Sequence, residues 1–158
     1  EAGLKTGLMT TVAWGTDRLT PELGHMTTVD AFTLNQRIAK IKSDGAEFLV
    51  LEVTSHALSE FRTLGIPIEI AVFTNLTHDH LDYHKTLARY RAAKGKLFKK
   101  AEFSILNADD PATKYYKTLS KRYITYGIKN GEKRAFGVKL GVFGSKYSFG
   151  DIKKHKEG

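Results

Sequence analysis

Apolar and polar positions alternate in two periods along this chain, and the periods succeed one another as strand and helix. Over DAFTLNQRIAKIKSD (30–44), Phe32, Leu34, Ile38 and Ile41 recur near one face of a 3.6-residue turn. With Thr28 or Asp30 as N-cap and Gly45 as terminator, this pattern predicts a helix. FLVLEV (48–53) is an almost continuous apolar run that changes to polar Thr-Ser-His, as expected of a strand buried on both faces of a parallel sheet. IPIEIAVFTN (66–75) repeats that pattern and leads into LTHDHLDYH. TLARYRAAKGKLFKK (86–100) predicts an amphipathic helix, with Leu87, Tyr90, Ala93 and Leu97 at helical spacing and Lys94 toward the inner face. FSILN (103–107) is a third strand, DDPATKYYKTLSK a helix opened by Asp and Pro111, and RYITYG (122–127) a fourth strand.

The ends of the chain differ from this middle. GLMTTVAW follows an opening turn as a strand, whereas AFGVKL and SKYSFG are short, glycine-punctuated and alternating, the signature of an antiparallel hairpin before the basic tail KKHKEG. The predicted fold class is therefore α/β, a mostly parallel sheet flanked by helices with a small antiparallel C-terminal hairpin. One domain is expected over residues 1–150, with a tail over 151–158. Ligands of such sheets collect at the carboxyl ends of the strands.

Composition narrows the class. The 158 residues, 41% of them hydrophobic, furnish a sizeable core, which argues against disorder. Absence of cysteine removes disulfide frameworks, thiolate metal sites and papain-like chemistry. No apolar run reaches the roughly 18 residues of a spanning helix, so membrane insertion is not expected, and without a leader the expected location is cytoplasmic. The chain opens at Glu1 without a methionine, and a cut start is expected. Its net charge of +8 suits a phosphorylated small molecule, a nucleic acid or an anionic membrane. The aromatic-basic pattern of RNA modules is missing, so no nucleic acid partner is expected, although a non-catalytic basic binding module stays an alternative.

Two strand exits concentrate the chemistry. Glu52-Val53-Thr54-Ser55-His56 leaves one strand, and Thr74-Asn75-Leu76-Thr77-His78-Asp79-His80 leaves the next. Glu52 with one of the histidines makes a divalent-metal pair, and a hard cation such as Mg²⁺ takes carboxylate oxygen together with waters and phosphate oxygens. A salt-bridged strand end and a polar histidine loop explain the same residues without chemistry. Ser55, His56 and Asp79 or Asp82 offer a hydrolase triad, but there is no Gly-x-Ser-x-Gly elbow. GLKTG is not a phosphate-binding loop, since the required Gly and four intervening residues are not there.

Taken together, EVTSHAL (52–58), FTNLTHDHLDYH (73–84), YRAAKGKLF (90–98) and LNADDP (106–111) resemble, in order and spacing, the central domain of the Mur ligases. The resemblance runs from about Gly3 to at least Tyr126 and is strongest to the members that add the third residue of the peptidoglycan stem peptide. It implies an ATP- and Mg²⁺-dependent amide-bond ligase. ATP phosphorylates the terminal carboxylate of UDP-N-acetylmuramoyl-dipeptide, and the amine of an amino acid attacks the acyl phosphate. The same resemblance places GLKTGLMTT just after the family's phosphate-binding loop. On that register the chain is expected to lack the loop, its strand and both flanking domains, and to be inactive alone. Related ligases of the folylpolyglutamate synthase or cyanophycin synthetase kind are the alternative within the same fold.

By this resemblance Glu52 and His80 are Mg²⁺ ligands, and Lys94 is the lysine that CO₂ carbamylates, turning a cation into a carboxylate-like group that positions magnesium. Without the resemblance, Lys94 reads as one solvated lysine among Lys96, Lys99 and Lys100. Thr27, Thr28, Thr54, Glu60 and Arg62 fall at positions that bind the UDP-muramoyl peptide, and Asn75, Asn107 and Asp109 at positions on the nucleotide side. Thr54 stands where the family usually has serine and keeps the hydroxyl. Glu60 stands where glutamine is common and brings a negative charge beside an anionic ligand. Met26 precedes Thr27 where asparagine is common.

Overall fold

The computed structural model describes residues 3–24, 26–77, 81–141 and 144–151, and it divides the chain into two compact units, Glu1–Ile66 and Pro67–Gly158. The charge is divided too. The first unit has six Lys and Arg against eight Asp and Glu, a net −2, and the second has nineteen against nine, a net +10. The positive charge is therefore carried by the second unit.

In the first unit, β1 (Thr6–Met9), β2 (Ala13–Gly15) and β3 (Leu19–Pro21) form an antiparallel meander, α1 (Ala31–Ser43) follows, and β4 (Phe48–Leu51) returns parallel to β1. The strand expected over GLMTTVAW is broken in two because Thr10 closes a turn on Ala13, its amide donating to the Ala13 carbonyl at 2.9 Å. The α1 helix begins where the sequence predicts, with the Asp30 carboxylate accepting from the Phe32 and Thr33 amides at 3.0 Å each. Its inner face places Leu34 and Ile41 on Met9 and Val29 to form the core of this unit. Gly7 makes that approach possible, since a Cβ there would overlap the Ile41 Cγ2 methyl. Trp14 lies under the Arg37 guanidinium at 4.8 Å, and Arg37 also pairs with Glu22. Hydrogen bonding from Arg37 holds the Glu22 carboxyl below its ordinary value.

The short helix α2 (Ser55–Ser59) follows β4, capped by the Thr54 hydroxyl, which accepts from the Ala57 amide at 3.2 Å. Ser55 and His56 thus lie in a helix rather than on a strand end, and Ser55 is buried.

In the second unit, β5 (Ile70–Phe73), β6 (Phe103–Asn107), β7 (Tyr123–Gly127) and β8 (Lys133–Gly141) pair in parallel in that order, and β9 (Gly144–Asp151) closes the sheet antiparallel to β8. Between β5 and β6 run α3 (Leu81–His84) and α4 (Leu87–Lys100), the latter capped by Thr86; α5 (Thr113–Leu119) joins β6 to β7. Phe73 and Phe98 each approach the fully buried Tyr116 ring with centroids 4.6 Å apart, and Ala71, Ala101, Leu106 and Ala112 complete the core. The helix expected to open at Asp109 and Pro111 starts later, at Thr113, because residues 107–112 are occupied by side-chain-to-backbone bonds.

Two strands are less buried than their composition suggests. Phe48 and Val50 on β4 are 47% and 56% exposed, and Ile70 and Val72 on β5 are 57% and 53% exposed. The reason is topological: β4 and β5 are each the edge strand of their own sheet, and one face of each carries these side chains into solvent.

Candidate active-site residues at the strand exits

Register places the first group. Because Met9 of β1 pairs with Leu51 of β4, the residues just beyond the two strands lie side by side. Thr11 donates to Glu52 Oε2 twice, through its amide and its hydroxyl, each at 2.9 Å. Thr11 Oγ1 also lies 3.0 Å from Thr27 Oγ1. The neighbouring Thr28 is buried at 1% exposure, its hydroxyl donating to the Glu52 carbonyl at 2.9 Å and accepting from the Thr54 amide at 3.0 Å. Thr28 therefore braces the exit of β4, whereas Thr27 and Thr54 are part-exposed. Since the Thr54 hydroxyl accepts from Ala57, its own proton is available to donate to a ligand oxygen.

Glu60 and Arg62 form a pair. Glu60 Oε2 accepts from Arg62 Nε at 2.8 Å and Nη2 at 2.5 Å, while Arg62 Nη1 donates to the Thr28 carbonyl at 2.5 Å. The negative charge at Glu60 is thus compensated within the molecule, and Arg62 is fixed against the Thr28 segment. Met26 contributes its sulfur 3.3 Å from Arg62 Nη1.

In the second unit the exit of β5 is tied down from several sides. Asn107 Nδ2 donates to the Thr74 carbonyl at 2.7 Å, the Leu76 amide donates to Asp110 Oδ2 at 2.7 Å, and the Tyr126 hydroxyl donates to the Phe73 carbonyl at 3.1 Å. Burial raises the Tyr126 phenol above its ordinary pKa, which keeps it a donor. Lys94, part-buried on α4, donates to the Asn75 carbonyl at 3.3 Å and sits 5.2 Å from the Tyr90 ring centroid. Two of the expected nucleotide-side residues also hold the loop: Asn107 Oδ1 accepts from the Asp109 amide at 3.0 Å, and the Asn75 carbonyl accepts from Lys94.

Asp109 closes the exit of β7. Its carboxylate accepts the amides of Ile128 at 2.6 Å, Lys129 at 3.1 Å and Asn130 at 2.8 Å, and the Asn130 side-chain amide at 3.1 Å. Burial alone would raise its pKa, but these donors outweigh burial and hold the carboxyl below its ordinary value. Gly127 is required beside it, because a Cβ there would lie 2.8 Å from Asp109 Oδ2.

His78, Asp79 and His80 lie outside the described residues. Among the described residues no three His, Asp or Glu side chains gather as a metal cluster. What Glu52 offers is a single hard oxygen: both Thr11 bonds go to Oε2, and among the described residues no hydrogen bond reaches Oε1. That donor set fits Mg²⁺, which is held by one or two carboxylates with water and phosphate completing its shell.

Sequence reasoning missed Thr11 and Asp110. The first was detectable as the polar residue following an apolar strand, at the carboxyl end where parallel sheets place ligands. The second lies within LNADDP and acts on the Leu76 amide 34 residues away, a contact that no local pattern records.

The Mur ligase middle domain family matches residues 2–157. UDP-N-acetylmuramoyl-L-alanyl-D-glutamate--2,6-diaminopimelate ligase of Geobacillus thermodenitrificans is 44% identical over 142 residues, which cover 82% of this chain and 28% of that protein. UDP-N-acetylmuramyl-tripeptide synthetase of Deinococcus radiodurans is 40% identical over 134 residues, covering 82% of this chain and 27% of that protein. A solved UDP-N-acetylmuramoyl-L-alanyl-D-glutamate--2,6-diaminopimelate ligase superposes with a TM-score of 0.81 at 28% identity, over 95% of this chain and 32% of that one. The apo form of L. casei FPGS shares the fold alone, with a TM-score of 0.56 at 15% identity over 96% of this chain and 44% of that one. The chain thus spans under a third of the length of the curated relatives named. With the family matched over almost every residue and the fold reproduced at the level of a whole domain, this chain belongs to the Mur ligases, as their middle domain.

Proposed function

We propose that the chain is the nucleotide-handling part of a cytoplasmic, ATP- and Mg²⁺-dependent ligase that adds the third amino acid to UDP-N-acetylmuramoyl-dipeptide in peptidoglycan synthesis. The observation that carries this reading is Glu52, held by Thr11 through one carboxylate oxygen, with no hydrogen bond to the other among the described residues. Relatives named as tripeptide-forming ligases support the substrate class.

In the proposed reaction the substrate carboxylate attacks the γ-phosphorus of ATP and ADP leaves. The amino acid's amine then attacks the acyl phosphate, loses a proton, and expels inorganic phosphate from the tetrahedral intermediate. Each step concentrates negative charge, and Mg²⁺, for which the resemblance implies Glu52 and His80 as ligands, would supply electrostatic neutralisation of phosphate oxygens. Thr54 would donate its hydroxyl proton to a substrate oxygen, and Arg62, fixed by Glu60 and the Thr28 carbonyl, would face the anionic peptide. Lys94, once its ammonium has lost a proton to water, would attack CO₂ as the free amine, forming an N–C bond and releasing one further proton to give a carbamate that helps hold magnesium. In the unmodified state Lys94 donates to the Asn75 carbonyl, on the segment that leads to His80.

The test is phosphate release by this chain joined to the flanking segments of the Geobacillus relative, with ATP, Mg²⁺, UDP-N-acetylmuramoyl-dipeptide and a panel of amino acids. Release that requires the dipeptide and one amino acid, and that disappears in Lys94→Ala, is expected; the 158-residue chain alone is expected to be inactive. Release that proceeds equally without the muramoyl dipeptide would overturn the substrate assignment.

A further inference from the structure

We infer that Thr11 is a positioning residue that fixes the Glu52 carboxylate and joins it to Thr27 in a directed hydrogen-bond relay. The inference rests on the reading of Glu52 as a metal ligand. Thr11 follows β1 by two residues and Glu52 follows β4 by one, so the parallel pairing of the two strands brings them together. Thr11 delivers two donors to the same oxygen, its amide and its hydroxyl, each 2.9 Å from Glu52 Oε2. Two bonds from one residue pin Oε2 in place and leave Oε1 to the ligand.

The direction of the relay follows from counting protons. Thr11 Oγ1 has one proton and two neighbours, Glu52 Oε2 at 2.9 Å and Thr27 Oγ1 at 3.0 Å. An ionised carboxylate has no proton to give and is the stronger acceptor, so the Thr11 proton goes to Glu52. The contact with Thr27 is then made by the Thr27 proton, donated to Thr11. Thr27 consequently shows a ligand only its lone pairs. It suits an N–H or O–H of the substrate, such as a peptide amide, and not a phosphate or carboxylate oxygen. Thr54, whose oxygen is already taken by the Ala57 amide, presents the opposite polarity. The two threonines therefore present opposite polarity to a ligand.

The test uses the 158-residue chain with Mn²⁺ as the probe, followed by electron paramagnetic resonance, and the Glu52 side-chain rotamer followed by three-bond NMR couplings. Thr11→Val removes the hydroxyl and keeps the branched shape and the amide, so Mn²⁺ affinity should fall about ten-fold, the lower end of the range for a residue that orients a metal ligand. Thr11→Ser should stay within about two-fold of the parent, and Glu52→Gln should lose the saturable site. In the NMR measurement Glu52 should occupy one rotamer in the parent and in Thr11→Ser, and average in Thr11→Val. Loss of Mn²⁺ binding in Glu52→Gln with no change in Thr11→Val would overturn the role of Thr11 and leave the metal reading standing. Mn²⁺ binding unchanged in Glu52→Gln, or absent from the parent, would overturn the metal reading, and the rotamer measurement then decides the positioning role alone. A Glu52 side chain that already averages in the parent overturns it.

Discussion

Replacing Asp109 with Asn or Ala separates two roles for this residue, contact with a nucleotide and closure of the β7 exit. The carboxylate receives three backbone amides and one side-chain amide from residues 128–130. A hydrogen bond to a charged group contributes about 1.5–3 kcal/mol when its partner is buried, but these bonds lie at the surface, where water replaces part of each and their effects do not add. A net loss of about 2 kcal/mol is expected for Asp109→Ala in urea denaturation followed by circular dichroism, with faster amide exchange confined first to 128–130. Asp109→Asn keeps one acceptor oxygen but turns an NH₂ group toward the remaining amides, and it should lose nearly as much.

The pH dependence gives the sign. The folded carboxyl is held below the ordinary Asp value of 3.8, so its stabilisation is complete above that value and is lost as pH falls through the lower folded one. The gap between parent and Asp109→Asn should therefore be constant at neutral pH and close in strong acid. Equal stability of the two proteins at pH 7, or a gap that persists in acid, would refute the closure argument and return Asp109 to the nucleotide.

Two further substitutions probe the first unit. Thr28→Val strands the Glu52 carbonyl and the Thr54 amide in a buried position and should cost about 2–3 kcal/mol by urea denaturation, whereas Thr28→Ser should cost under about 1 kcal/mol; a neutral Thr28→Val would show that the brace is not needed. Gly7→Ala drives a methyl onto the Ile41 Cγ2 atom and should destabilise by about 2 kcal/mol, a loss that shrinks when measured in an Ile41→Ala background. Additive losses would mean that the two residues do not share the contact.

What was legible in the sequence were the elements whose signals are local. The α1 and α4 helices begin at Asp30 and Thr86 because each side chain satisfies amides of its own first turn, and β6 occupies the predicted 103–107. Burial of β4 and β5 was misjudged because edge position depends on which strands pair, and no local pattern in Phe48–Leu51 or Ile70–Phe73 records that. At the site, motif resemblance pointed to Glu52, Lys94, the threonines, Asn107 and Asp109, and what it could not show is that Asn107 and Asp109 also bond to backbone, at Thr74 and at residues 128–130. Thr11 and Asp110 act through contacts 41 and 34 residues distant in sequence, and such pairings are set by sheet register rather than by neighbours along the chain.

The bare rows on β4 and β5 also govern how copies of the chain behave toward one another. Phe48, Val50, Ile70 and Val72 form adhesive stripes along strands whose outer backbone edges have no partner in the sheets described. The force that keeps two copies apart is mutual repulsion of the net +8 charge, most of it carried by the second unit. That repulsion reaches only about 8 Å at physiological ionic strength and about 3 Å at 1 M salt, whereas the attraction between apolar stripes does not weaken with salt. Colloidal stability of this chain is therefore expected to have a sign opposite to that of proteins salted in through charge pairing, with light scattering rising from dilute buffer toward about 1 M salt.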